Sequence, residues 1–161
     1  MHGNKETIVY IIIGVALAWG INQGMAMALS TDMPVVAVES DSMVPVFHKG
    51  DILVLGGEGA GMLTVGDIIV YSVEGRTVPI VHRIVKINPD GSYQTKGDAN
   101  SGQLNFEYHV PYERIHGKVV LIVPYMGWVK IGVTEYVLPN ALYLLVVCII
   151  IAAVYYGRRL I

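Results

Sequence analysis

Glu39-Ser40-Asp41-Ser42-Met43-Val44-Pro45 stands where an apolar run at 35–38 gives way to proline. The run reads as a strand, and Pro45 stops regular pairing soon after it. Two serines two residues apart at a strand end are fixed by the scaffold yet left open, a good setting for a nucleophile. A serine hydroxyl is weak by itself, so the stretch has catalytic meaning only if a base lies elsewhere in the chain.

Outward from this stretch, 34–136 consists of short β-like runs between Gly, Pro and Asp signals. The runs are 35–38, 51–55, 67–73, 80–87, 92–95 and 118–123. Asn88-Pro89-Asp90-Gly91 is a strong turn that folds 92–95 back on 80–87 as a hairpin. No part of 34–136 sustains helical periodicity. The expected fold class is mainly β, an antiparallel domain at 34–135 between an N-terminal membrane anchor at 1–33 and a C-terminal transmembrane helix at 136–161. The glycine loop at 56–61 lacks the Gly-Lys-Ser/Thr ending of a phosphate cradle and no helix follows it, so it reads as a plain loop. Met62 and Leu63 at its edge suggest a surface able to touch lipid.

Composition supports the membrane segments. The 161 residues allow one modest domain. Mean hydropathy is +0.53, and charged residues make up 15%, below the roughly 25% of an average soluble domain. The apolar surplus lies at the two ends. Residues 8–29 are long enough to span a bilayer, with Asn22 and Gln23 as interruptions. A rival reading takes Lys5 as a basic n-region and Ala26-Met27-Ala28 as a cleavage site, which describes a removed signal peptide. A retained anchor is favoured because 25–29 continues the apolar run. Residues 141–156 are apolar throughout, and Arg158-Arg159 follow, which puts that end in the cytoplasm and the middle domain on the extracytoplasmic side. The net charge of -2 carries no footprint for nucleic acid. Cys148 is the sole cysteine, so an intrachain disulfide is excluded and a thiol-based zinc site is not expected.

Candidates for the base are the five histidines. His2 precedes the first membrane segment, and His48 sits in a polar turn. His109 and His116 flank Pro111 in an expected loop. His82 lies within Ile80-Val81-His82-Arg83-Ile84-Val85, where it is either a satisfied half-buried side chain or a general base. Asp98 follows the strand paired with that of His82, so it is either the carboxylate that orients the imidazole or the start of a turn.

Ser40-Asp41-Ser42-Met43-x-Pro45, Gly50-Asp51, Val65-Gly66-Asp67-Ile68-Ile69-Val70-Tyr71, His82-Arg83-Ile84 and Lys96-Gly97-Asp98-Ala99-Asn100 occur in this order over most of 35–123. Together they resemble type I signal peptidase. Histidine in place of the bacterial lysine resembles the archaeal and endoplasmic-reticulum branch. The resemblance implies a β-rich catalytic domain held against the membrane and a serine endopeptidase that removes signal peptides. It implies Ser42 as nucleophile, His82 as general base and Asp98 as acidic partner, with the Ser40 hydroxyl and the Ser42 N–H as the oxyanion hole. A second aspartate is usual in this branch six residues after Asp98. Leu104 stands there, with Glu107 nearby, so Asp98 acts alone or Glu107 helps. The implied partners are signal peptides of preproteins, the lipid bilayer and the translocation machinery, with no metal or cofactor. Two rival readings are a non-catalytic membrane subunit that presents signal peptides and a self-cleaving protease of the repressor type. The second expects a lysine base and a DNA-binding region, and neither is found in the sequence.

Overall fold

A computed structural model describes residues 3–137 and 139–140. The expected C-terminal membrane helix falls, from 141 onward, outside the described residues. Helix α1 is Gly3–Ala28, and within it Glu6–Ala28 has a mean hydropathy of 1.7, enough by length and composition to cross a bilayer.

Six strands follow: β1 Val35–Ala37, β2 Ile52–Gly56, β3 Ile68–Tyr71, β4 Ile80–Ile87, β5 Tyr93–Lys96 and β6 Ile115–Val123. They form one sheet in the order β1-β2-β6-β3-β4-β5, with every pair antiparallel. The mainly β expectation holds, and the expected runs match the strands to within about three residues at each end. Two features differ. His116 lies in β6 rather than in a loop, because β6 begins three residues before the run read from the sequence. Leu63 is buried in the core, so only Met62 remains exposed at the glycine-loop edge. Three-residue 3-10 turns at Asn105–Glu107 and Tyr112–Arg114, and a short helix α2 at Trp128–Ile131, are too brief to leave a periodic pattern.

Alternation sets what faces the core. In β2, Leu53 and Leu55 are fully buried, and in β4, His82 and Ile84 point inward. Val38, Met43, Phe47, Leu53, Leu55 and Val70 form one apolar cluster. A second gathers Leu63, Ile69, Tyr71, Ile84, Tyr93 and Val110. The sheet bends at three bulges. Each inserts an extra residue opposite a partner strand: Val120 against β2, His116 against β3 and Val85 within β4.

Gly50 and Asp51 lock the segment after β6 onto the loop that carries Ser42. Gly50 has φ +94, and a Cβ there would run into the Trp128 ring. The buried Asp51 carboxylate accepts from the His48 N–H at 2.9 Å and the Tyr125 N–H at 3.0 Å. Asp51→Ala removes both acceptors, so two backbone donors lose their partner. The expected loss is roughly 2–4 kcal/mol of stability, read by thermal or denaturant unfolding in detergent.

Candidate active site

Ser42 sits in a tight turn after β1. Asp41 accepts the Lys49 N–H through its carboxylate (2.8 Å) and the Val44 N–H through its carbonyl (3.2 Å), and the Val44–Pro45 peptide is cis. Met43, fully buried, pins the turn into the core directly beside the serine. The Ser42 carbonyl accepts the Ala99 N–H at 2.9 Å, which ties this turn to the one after β5. Ser40 Oγ lies 3.3 Å from Ser42 Oγ.

His82 is carried to the same place by β4. Its Nε2 is 3.1 Å from Ser42 Oγ, and its Nδ1 bonds Glu107 Oε1. Glu107 is completely buried, and its other oxygen accepts the Leu104 N–H at 2.6 Å. An ionised carboxylate in such a place needs full pairing, which these two donors supply. The carboxylate takes Nδ1–H, so the Nε2 lone pair is left to accept the serine proton. Burial holds the His82 imidazole below its usual value near 6.5, against the pull of the Glu107 charge, so the ring is neutral and basic at neutral pH.

Asp98 is placed elsewhere. It forms a two-pronged ion pair with Arg83, Nε to Oδ1 at 3.0 Å and Nη2 to Oδ2 at 2.6 Å, while Arg83 Nη1 donates to the Gly66 carbonyl at 2.8 Å. The carboxylate bonded to His82 is Glu107, not the expected Asp98. The reason is alternation: Arg83 follows His82 and so points to the opposite face, taking Asp98 with it. Glu107 reaches the ring from a 3-10 turn. In that turn residues three apart eclipse one another, so position 107 stands over position 104. The usual aspartate position is therefore served by a longer side chain one turn later. The sequence signal was weak, a glutamate near the vacant aspartate position.

Ser42 and His82 lie on the wall of a cleft of about 630 Å³. Its walls include Val36, Val38, Phe47, Val78, Ile80 and Phe106. One wall is β1, which among the described residues has a sheet partner on one side only. Val38 uses both its N–H and its carbonyl toward 50–51. Alternation then turns the N–H and C=O of Ala37 to the open edge. An apolar cleft beside an open strand edge, with a hydroxyl and a neutral imidazole in its wall, suits an extended peptide and acyl transfer.

No family model matches the chain. Relatives do. The signal peptidase complex catalytic subunit SEC11C of Homo sapiens is 34% identical over 146 residues, covering 83% of this chain and 76% of that protein, and that of Mus musculus gives the same figures. SEC11 of Pyricularia oryzae is 37% identical over 123 residues, with 71% and 72% covered. The chain belongs to the signal peptidase catalytic-subunit family. Other blocks of this signal peptidase support the site from a distance. Asp67 accepts the Thr64 N–H at 2.9 Å and pairs with Lys118 at 3.0 Å, closing the turn that enters β3. Gly97 lets the turn after β5 approach: a Cβ there would lie 2.8 Å from both His82 Nε2 and the Ser42 carbonyl.

Three outcomes are expected. Gly97→Ala should displace the ring or the serine and lower kcat/KM by about 10²-fold, with a melting curve showing that the protein remains folded. The acid limb of the kcat/KM profile should have its midpoint below pH 6.5, because burial lowers the pKa of His82. In Glu107→Gln it should move lower still, since the charge favouring the imidazolium is gone.

Proposed function

We propose that the chain is a membrane-bound serine endopeptidase that removes signal peptides from exported preproteins. The contact of Ser42 with a buried His82–Glu107 pair carries this reading. Ser42 Oγ attacks the scissile carbonyl carbon while His82 Nε2 takes its proton. The charge that develops on the carbonyl oxygen is met by the Ser42 N–H and the Ser40 hydroxyl; one such donor is worth about 10²–10³-fold in rate. The intermediate collapses, the C–N bond breaks, and His82 returns the proton to the leaving amine of the mature protein. Water then attacks the ester, giving its proton to His82. The C–O bond to Ser42 breaks, the serine recovers its proton, and the signal peptide leaves with a new carboxylate. Glu107 holds the imidazole in the required tautomer and stabilises its cation. Asp98 acts at one remove: with Arg83 it fixes the turn that carries Gly97 and Ala99.

The substrate lies extended along the open edge of β1, in the strand-addition mode. Small side chains at the first and third positions before the cut fill the apolar wall. Helix α1 is a retained anchor, 34–135 is the extracytoplasmic catalytic domain, and 136–161 crosses back to a cytoplasmic Arg158-Arg159 tail, giving a multi-pass protein of the cell membrane. Partner subunits, as the names of the relatives imply for those proteins, and the translocation machinery are its expected neighbours. Anchoring keeps enzyme and substrate in one plane, which substitutes proximity for tight binding.

Preprotein cleavage by the purified chain tests the assignment. Ser42→Ala and His82→Ala should abolish product. Glu107→Gln should cost about 10²–10⁴-fold in kcat through loss of the tautomer, and Asp98→Asn about tenfold or less through a loosened turn. Product from Ser42→Ala would remove the nucleophile, and full activity of Glu107→Gln with an inactive Asp98→Asn would return the acidic role to Asp98.

A further inference from the structure

Away from the cleft, a second hydroxyl–imidazole–carboxylate chain joins three separate segments. Ser72 Oγ is 2.7 Å from His116 Nε2, and His116 Nδ1 is 3.0 and 3.1 Å from the two oxygens of Asp32. The connectivity copies that of Ser42, His82 and Glu107. It is nevertheless unsuited to acyl transfer, because the Ser72 N–H is committed to the Arg114 carbonyl at 2.9 Å and offers nothing to an oxyanion. The nearby charges are also matched: Lys118 pairs with Asp67 at 3.0 Å and Glu58 at 3.4 Å.

What the chain of bonds does join is informative. Asp32 lies four residues past the end of α1. Ser72 directly follows β3, and His116 is the extra residue of the β6 bulge, which aims its ring at both. Thr31, buried, donates to the His116 carbonyl at 2.5 Å, and Gly57 donates to the Leu29 carbonyl at 2.7 Å. A Cβ on Gly57 would fall 1.8 Å from the Ser30 carbonyl, so the helix exit is pressed against the residue that follows β2. Helix α1 spans 26 residues, about 39 Å, and no residue of its apolar span is buried. Among the described residues, its direction relative to the sheet is therefore set at 29–34.

We infer that Asp32, His116 and Ser72 form a clasp that fixes the height and tilt of the catalytic cleft over the bilayer, and so selects which bond of a membrane-inserted signal peptide is cut. They are positioning residues, distant from the reacting atoms. The inference rests on the proteolytic reading above. A slack clasp lets the cleft move relative to a substrate held in lipid, yet leaves it intact for a peptide free in solution.

The test uses the full chain in phosphatidylcholine liposomes with Asp32→Asn, Ser72→Ala and His116→Gln. One substrate is a membrane-inserted preprotein, and the other a soluble peptide spanning the same bond. The expected result is a loss of about tenfold in kcat/KM on the inserted substrate, or new product termini by mass spectrometry, with the soluble peptide cut within about twofold of wild type. Equal losses on both substrates, or unchanged rate and termini on the inserted one, overturn the inference. Should His116→Gln fail to fold, the exposed Asp32 and Ser72 variants carry the test. Wild-type protein that cuts neither substrate overturns the proteolytic reading instead.

Discussion

A charged carboxylate sealed from water is tolerated only where donors surround it, and Glu107 is such a group. Its two partners, the His82 ring and the Leu104 N–H, lie on different elements. Satisfying it brings the 3-10 turn at Asn105–Glu107 up against β4 and leaves the imidazole one orientation. Removing either donor exposes the burial cost of the other half, which is why a paired buried charge is hard to lose by small steps. Tyr71 is affected by the same charge: burial raises its phenol pKa, Glu107 adds to this, and its hydroxyl bonds Thr95 at 2.8 Å. The site is thus built around an acid that never meets solvent.

Ser42 is held by a different set of contacts. Met43 anchors it by packing, Ala99 by a backbone bond to the Ser42 carbonyl, and Asp51 by tying the following turn to Tyr125. Two glycines make this possible. Gly97 admits His82 and Ser42 to the turn after β5, and Gly50 leaves room for Trp128. Lys49 extends the tie outward, pairing with Glu135 at 3.2 Å. The residues leading toward the C-terminal apolar segment are therefore mechanically continuous with the Ser42 loop.

Much of this was legible in the chain. Apolar runs between turn signals gave the strands, the Asn88-Pro89-Asp90-Gly91 turn gave the β4–β5 hairpin, and the serine pair at the end of β1 marked the loop that carries Ser42. The carboxylate was misplaced because Asp98 sits in the recognisable Gly-Asp-Ala-Asn block, whereas its direction depends on Arg83, a residue whose outward face decides the matter only once register is known. Glu107 is seen only when a three-residue 3-10 turn is formed, and turns that short have no periodic signature. The Asp32–His116–Ser72 chain spans 84 and 44 positions and hinges on a bulge, an irregularity that pattern reading passes over.

The three-residue strand β1, open on one side, has a consequence for breadth of use. Main-chain hydrogen bonds are the same for every amino acid, so recognition through them is indifferent to the text of the segment that docks. Vocabulary is then restricted only at the few positions whose side chains turn toward the wall. In the proposed strand-addition mode, a single gatekeeper of this build would process a large and divergent clientele while still refusing a bulky residue next to the cut, and the brevity of the edge keeps it from recruiting stray strands into permanent aggregates.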